Sequence, residues 1–208
     1  MARLVFFLIS SLSIYFHFIA AATATAIAAP TGTSSYKNFV KSSCGTVEYP
    51  KLCVQLLAVH ASKIKQSPQQ LARAALAVSL ARAQSTKDFV ARAAKFRGLK
   101  AREYAAIKDC LEEMDDSVDL LANSGKELKR AGASKGQDFQ WHVSNVQTWV
   151  SAASTDATTC LDGYASAALD GRLKTSIRSR VLNVEQVTSN ALALVNQYAS
   201  KAGSSNAP

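Results

Sequence analysis

Residue types that enzyme active sites and metal sites depend on are scarce in this sequence. It has three histidines in 208 residues, and only His60 and His142 lie beyond the N-terminal apolar run. Neither is followed at the third or fourth position by a metal-ligating side chain. A glycine-rich phosphate loop and an H-E-x-x-H zinc motif are absent, and we expect no nucleophile elbow. We therefore expect neither catalysis nor a bound metal or cofactor.

Glycine and proline are also few, with nine and four residues, and they cluster at apparent breaks between longer segments. No segment alternates apolar and polar residues as a half-buried strand does. Alanine is abundant. The composition predicts one all-α domain of about 180 residues after the N-terminal segment, which is long enough to bury a real core.

Long apolar runs are confined to the N-terminus. Residues 1–28 contain Arg3, then LVFFLISSLSIYFHFIA, then alanine and threonine. This order is typical of a secretion signal, cleaved here between residues 22 and 28. A signal anchor is the alternative, but no basic stop-transfer flank follows. Later stretches fall short of the roughly 18 apolar residues of a membrane helix, so we expect an exported protein with no membrane segment after signal removal.

The four cysteines follow this signal. Cys44 and Cys53 form a close pair in CGTVEYPKLC, whereas Cys110 and Cys160 stand alone inside helical patterns. An even number of cysteines in an exported protein predicts disulfides rather than metal-binding or catalytic thiols. Three pairings are possible. The layout favours Cys44–Cys53 together with Cys110–Cys160.

Hydrophobic spacing predicts two short helices followed by four long ones. Residues 34–66 are expected to form a helical hairpin extension, and residues 67–200 an antiparallel four-helix bundle. Together they make a single domain, 34–200, and residues 201–208 are expected to be a frayed tail. The long helices are predicted over Ser67–Arg97, over Lys100–Asn123, from Asp138, and after Gly171. The buried seam of the second is expected at Tyr104, Ile107, Leu111, Met114, Val118 and Leu121, with Cys110 one step aside.

Basic residues outnumber acidic ones, 24 to 15, and without Arg3 the net charge is +8. Such a charge suits nucleic acid, a membrane surface or an acidic polysaccharide. Export argues against nucleic acid. Pectin, a polyuronide, is then the partner expected for the basic surface. The alternative is that the charge only keeps the protein soluble.

One segment reverses this sign. Six of the acids fall between Asp109 and Asp119 with no basic residue among them. Helical spacing places Asp109, Glu112, Asp116 and Asp119 in one stripe opposite the predicted seam. Such a stripe is either a solvated face or an interaction surface for another protein.

Three features of the chain resemble the plant invertase and pectin methylesterase inhibitor family. They are the C-x8-C pair, the segment DCLEEMDDSVDLL, and VQTWVSAASTDATTCLDGY with a closing LNVEQVTSNALALV. They occur in the family's order between about residues 34 and 198. The resemblance implies a four-helix bundle with an N-terminal helical hairpin and disulfides joining the first cysteine to the second and the third to the fourth. It also implies an enzyme inhibitor rather than an enzyme.

Within the family, the resemblance favours inhibition of pectin methylesterase. Invertase inhibitors share a Pro-Lys-Phe segment that this chain lacks, and T-W-V-S-A-A-S-T-D-x-x-T-C-L-D-G is similar to the esterase inhibitors. In those, the bundle covers the pectin-binding cleft, and we expect a one-to-one complex in the cell wall. The contacts carried over are Glu112, Asp116 and Asp119 on one helix and Thr159 and Asp162 on the next.

Three other functions are alternatives to this one. An invertase inhibitor would use the same scaffold on another enzyme. A basic wall-binding protein would hold pectin without inhibiting anything. The pro-region of an esterase is not expected, because no catalytic domain follows Pro208.

Overall fold

The computed structural model describes residues 31–165 and 171–205. The helical domain described below is the compact unit Gly32–Pro208. The predicted secretion signal, residues 1–28, lies outside the described residues. Within the described ranges, no helix combines the length and the apolar character needed to cross a bilayer.

A helical extension precedes the bundle. It consists of α1 (Thr31–Cys44), α2 (Pro50–Leu57), a 3₁₀ turn (Ala58–His60) and the short α3 (Ala61–Ile64). Helix α2 begins at Pro50. The reason is that proline has its φ preset and lacks the N–H that a first helical position leaves unpaired.

The extension is fixed to itself and to the bundle by specific bonds. The Cys44–Cys53 disulfide closes the turn between α1 and α2, with the two Cα atoms 5.6 Å apart. The side-chain amide of Asn190 binds the backbone of Tyr49 twice, accepting from its N–H at 2.9 Å and donating to its carbonyl at 3.0 Å. Because Asn190 is buried, these bonds satisfy polar groups that would otherwise be unpaired.

Four long helices make up the rest of the described chain: α4 (Pro68–Ala93), α5 (Ala101–Ala131), α6 (Gly136–Gly163) and α7 (Arg172–Ser205). Each packs against the next, and α7 packs against α4. The predicted all-α antiparallel four-helix bundle with a helical extension and two disulfides is therefore confirmed. The pair α5–α6 forms one side of the bundle and the pair α7–α4 forms the opposite side.

Helix α4 begins with a capping serine. Ser67 Oγ accepts a hydrogen bond from the Gln70 N–H at 3.3 Å, and Pro68 occupies the first helical position. The end of α4 was predicted at Arg97 and lies at Ala93. Turns replace the helix over the next residues and lead to Gly98, whose φ of +86° only glycine adopts readily.

Helix α5 is longer than predicted. The sequence NSGKELKRAGASKGQ suggested that the helix ends at Asn123, but it continues to Ala131. The last two turns have their own buried side, made by Glu127, Leu128 and Ala131. The space around Gly125 is open, so this residue costs the helix only intrinsic propensity.

The buried seam of α5 also differs from the prediction at alternate positions. The predicted Ile107, Met114 and Leu121 are buried, but Tyr104 is 51% exposed, and Leu111 and Val118 are only half-buried. The residues that complete the seam are small ones: Cys110, Ser117 and Ser124.

The small residues allow a close approach of the neighbouring helix. Ser117 Oγ donates to the Ala153 carbonyl of α6 at 2.9 Å, so its hydroxyl is satisfied inside the core. Cys110 consequently lies on the seam, and the prediction that placed it one step aside was wrong.

The C-terminal boundary shifts as well. Helix α7 continues to Ser205, so the predicted frayed tail, residues 201–208, is helical in its first five residues. Ala199 and Ala202 still pack against the core at this point, which favours continuation of the helix. Residues 206–208 lie outside the described part.

Candidate functional site

The five predicted contact residues lie on the α5–α6 side of the bundle. Glu112, Asp116 and Asp119 are on α5, Thr159 and Asp162 are on α6, and all five are exposed to solvent. Asp109, the remaining member of the acidic stripe, is exposed too. The stripe therefore has the orientation that its spacing predicted. Exposure alone does not test a contact, so these residues stay a prediction.

The Cys110–Cys160 disulfide joins the first third of α5 to the last turn of α6. Its Cα atoms are 4.6 Å apart, and both cysteines are buried. Since the helices are antiparallel, the contact residues extend away from it in opposite directions. Asp119 lies nine residues beyond Cys110, about 14 Å along α5, whereas Asp162 lies two residues past Cys160 the other way. The disulfide thus holds the predicted contacts in one fixed relationship.

A groove of about 620 Å³ follows the disulfide between α5 and α6. Thr159 and Asp162 line it from α6, and Asp109, Glu113 and Arg102 line it from α5. Glu112, Asp116 and Asp119 are not part of its lining. The structure therefore brings together only two of the five predicted residues and joins them to two carboxylates of the neighbouring helix. Thr159 Oγ1 already donates to the Thr155 carbonyl at 3.0 Å, so it offers a partner an acceptor.

Sequence reasoning missed one carboxylate, Asp156. It is half-buried on α6, and its Oδ2 is buried without a hydrogen-bond partner. Burial, followed by the negative charges of Glu113 and Asp116, raises the pKa of Asp156 to about 6. Burial also raises the pKa of Glu113, with Asp116, Glu112 and Asp109 adding to the effect. Asp156 therefore holds a proton in mildly acidic solution.

The sequence contains the signal that finds Asp156. In an antiparallel pair, positions after one cysteine face positions before the other. Glu113 follows Cys110 by three residues and Asp156 precedes Cys160 by four, so the disulfide alone brings the two carboxyl groups together. Counting outward from the predicted bridge would have placed Asp156 beside the acidic run.

One acidic residue of the run is engaged inside the molecule. Asp115 forms an ion pair with Lys87 of α4, and that hydrogen bond raises the pKa of Lys87. Asp115 remains more than half exposed, so the pair contributes little to stability. It does turn the Asp115 side chain toward α4 and away from the groove.

One sequence that resembles a catalytic motif has another role. Residues 132–136 spell G-x-S-x-G, which contradicts the expectation that no elbow sequence occurs. They form the turn between α5 and α6 rather than a strand-to-helix elbow, and Ser134 Oγ donates to the Arg130 carbonyl at 3.0 Å. In the described ranges, no three His, Cys, Asp or Glu side chains are grouped as metal ligands.

The fold and this face define a class of protein: a helical bundle braced by a disulfide, with an exposed acidic side. Residues 38–194 match the family model described as plant invertase/pectin methylesterase inhibitor. The chain belongs to this family.

Two proteins are similar to the chain in sequence, and one solved structure is similar to it in fold. The chain is 56% identical to pectinesterase inhibitor 9 of Arabidopsis thaliana, over 81% of its own length and 84% of that protein. It is 50% identical to a 21 kDa protein of Daucus carota, over 84% and 91% of the two lengths. A crystal structure of a mutant pectin methylesterase inhibitor from Arabidopsis matches 76% of this chain and 95% of its own, with a TM-score of 0.61 and 20% identity. At that identity the match shows the fold.

Proposed function

We propose that this protein inhibits pectin methylesterase by covering the cleft in which the enzyme binds pectin. The observation that carries the proposal is the exposed acidic side of α5 and α6, braced by Cys110–Cys160, in a chain closely similar to proteins named pectinesterase inhibitors. The mechanism is steric and involves no chemistry of the inhibitor itself. A rigid helix pair loses little conformational entropy on docking, which favours affinity.

The contacts divide into two groups around the disulfide. Glu112, Asp116 and Asp119 form the exposed edge that reaches outward along α5. Thr159 and Asp162 form the wall of the groove, where Arg102 adds a donor. A partner that fills both would bury the disulfide at the centre of a one-to-one complex. Central, desolvated positions carry most of the energy of an interface.

The place of action follows from the N-terminal segment. Residues 1–28 act as a secretion signal that is removed, and the mature domain, residues 34–200, works in the cell wall, where both pectin and pectin methylesterase are found. The arrangement of charges and apolar residues in residues 1–28 supports this proposal.

An inhibition assay tests the proposed function. Mature protein is titrated against a plant pectin methylesterase and, separately, an acid invertase. Saturable loss of esterase activity with unaffected invertase is expected. Loss of invertase activity alone would assign the protein to the other branch of its family, and no effect on either enzyme would contradict the proposal.

Charge reversal tests the contact face. Asp116→Lys and Asp162→Lys, made singly and together, are expected to abolish inhibition while circular dichroism shows unchanged helicity. Asp88→Lys is the matched control, because it makes the same charge change at an exposed position of α4. Full inhibition by the double variant would remove the proposed face, and equal loss in the control would show that net charge alone is responsible.

Pectin contact through the basic residues is a second candidate role. It is favoured by the uneven distribution of charge: Asp88 and Glu185 are the only acids of α4 and α7, which carry nine lysines and arginines. Since this side of the bundle lies opposite α5 and α6, the two roles do not compete for the same surface.

A further inference from the structure

Acidic and basic side chains are separated between opposite sides of the bundle. Helices α5 and α6 carry eleven acids and five lysines or arginines, whereas α4 and α7 carry two acids and nine lysines or arginines. Asp88 lies next to Lys87, and Glu185 lies beside Glu48 and Tyr49 of the extension.

The extension covers only part of the α4–α7 side. It packs over Ala75 and Val78 of α4 and over Val187 and Asn190 of α7. The same helix faces continue beyond it and are open. A groove of about 410 Å³ begins there, lined from α4 by Arg82, Ser85 and Thr86, and from α7 by Ser179, Arg180, Leu182, Asn183 and Gln186.

The arginines of this groove are held ready for an external acceptor. The Arg180 guanidinium lies over the ring of Phe89, 4.3 Å from its centre, which restricts it without neutralising it. Arg82 is exposed, and neither arginine makes an ion pair to any described residue. Unpaired guanidinium groups offer carboxylates a two-pronged set of donors.

Two more arginines extend the groove toward the end of the bundle. Arg92 follows Phe89, the ring beneath Arg180, by three residues on α4, and Arg172 precedes Ser179 by seven on α7, two turns away on the same helix face. Both are exposed. From Arg82 to Arg92 the row covers about 15 Å of helix. The site is therefore a track with repeated cationic positions and intervening hydroxyl and amide groups.

A ligand that fits this track repeats carboxylates along a chain and carries hydroxyl groups between them. We propose that the track binds a polyuronide segment with free carboxylates, that is, pectin whose methyl esters have been removed. A methyl ester is neutral and cannot form the charge-assisted bonds that arginine makes with a carboxylate. Leu182, 41% exposed at the groove, offers an apolar surface to the C–H face of a sugar ring.

Binding at this site brings the inhibitor to the pectin on which the esterase acts. This part of the inference rests on the proposed function. Pectin methylesterase removes methyl groups and leaves carboxylates, so its product is the polymer that the arginine track binds. The inhibitor then accumulates where the esterase has already acted, with its acidic side still exposed to the enzyme. Retention and inhibition occur on opposite sides of the bundle and can be measured independently.

The test compares retention of the mature protein on polygalacturonate, which has free carboxylates, with retention on highly methyl-esterified pectin. Polygalacturonate is expected to bind at least about tenfold more tightly, and the preference should weaken as salt screens the charges. Equal affinity for the two polymers would overturn the proposal.

Arginine variants distinguish binding at the track from a general effect of net charge. Arg82→Gln/Arg180→Gln should weaken polygalacturonate binding by about tenfold or more. Arg92→Gln/Arg172→Gln should also weaken it and leaves the Arg180–Phe89 contact intact, so it serves if the first pair disturbs folding. Lys126→Gln/Lys129→Gln removes the same charge from α5 and should have little effect. If this control loses as much affinity as the track variants, binding reflects net charge and the proposed site is wrong.

Esterase inhibition by the track variants distinguishes the two proposals. We expect it to be unchanged, because none of the four arginines lies on α5 or α6. If the wild-type protein binds polygalacturonate through the track and inhibits no pectin methylesterase, the proposed function fails and the polyuronide site stands. If it inhibits and does not bind the polymer, the polyuronide site fails alone.

Discussion

His142 Nδ1 lies 2.8 Å from Oε1 of Glu127, and this contact joins α6 to the last turns of α5. The Glu127 side chain is only 2% exposed. Asn145 donates to the same oxygen at 3.0 Å, and Arg130 donates to Oε2 at 3.0 Å. Burial acts to raise the pKa of Glu127, but the hydrogen bonds from Asn145, His142 and Arg130 lower it below its usual value. A buried carboxylate with every oxygen bonded is the reason that α5 continues past Asn123.

Glu127→Ala is expected to destabilise the protein by about 2 to 3 kcal/mol at pH 7, because it leaves Asn145 and His142 without their buried acceptor. Urea unfolding measures the effect. Glu112→Ala, an exposed change on the same helix, should cost less than about 0.5 kcal/mol. A similar cost for both would show that the Glu127 network is not stabilising.

The pH dependence of the same variant gives a second check. Since the folded pKa of Glu127 lies below the ordinary value of 4.5, its stabilising contribution is present above that value and is lost as the pH falls through the folded pKa. The difference in unfolding free energy between wild type and Glu127→Ala should therefore shrink as the pH falls below 4.5.

Much of this fold could be predicted because local signals agree with it. Ser67 with Pro68 marks the start of α4, Gly98 and Gly171 mark breaks, and the four cysteines pair as their spacing suggested. The errors share a physical cause. Sequence patterns count large apolar residues, whereas the α5–α6 contact uses Cys110 and two serines that let the helices approach closely. The end of α5 depends on a buried glutamate that any hydrophobicity scale places outside.

The exposure of the acidic residues could be predicted from the sequence, but their arrangement around the groove could not. Spacing placed the acidic stripe on an exposed side, and the structure agrees. Spacing could not show that Asp162 lines a groove with Asp109 and Glu113, whereas Asp119 lies about 14 Å from Cys110 along α5. Which residues of α5 and α6 meet at the groove depends on the antiparallel register, which the disulfide sets.

The two disulfides are expected to contribute differently to function. In the chain-entropy model, opening the longer loop closed by Cys110–Cys160 costs about 4 kcal/mol, and opening the loop closed by Cys44–Cys53 costs about 3. The stability effects are thus similar. Only the second bond fixes the helices that carry the predicted contacts. Cys110→Ser/Cys160→Ser should weaken esterase inhibition more than Cys44→Ser/Cys53→Ser, measured well below both melting temperatures. Equal weakening would mean that Cys110–Cys160 is not a brace of the contact face.

Asp156 is expected to make the protein more stable in mild acid. Its folded pKa of about 6 lies above the ordinary 3.8, so the folded state holds a proton that the unfolded state releases. Stability therefore falls as the pH rises from about 4 to about 6. Asp156→Asn should raise the melting temperature at pH 7 and change it little at pH 4. The exposed Asp162→Asn is the control, and the same pH response in both variants would contradict the assignment.

The carboxyl groups of Glu113 and Asp156 predict that inhibition is stronger at mildly acidic pH. A docked partner would remove water from the groove that Glu113 lines and from Asp156 behind it, and lost hydration raises a carboxyl pKa further. Binding would then take up protons, so affinity should fall as the pH rises through the window between about 6 and the still higher pKa of the complex.

The inhibition constant against one esterase is measured from pH 5 to 8 for wild type and for Glu113→Gln/Asp156→Asn. The double variant isolates the inhibitor's contribution because the esterase and its own acids are the same in both series. Its profile should be flatter than that of the wild type. A flat wild-type profile, or one that the double substitution leaves unchanged, would show that these two carboxyl groups do not take up protons on binding.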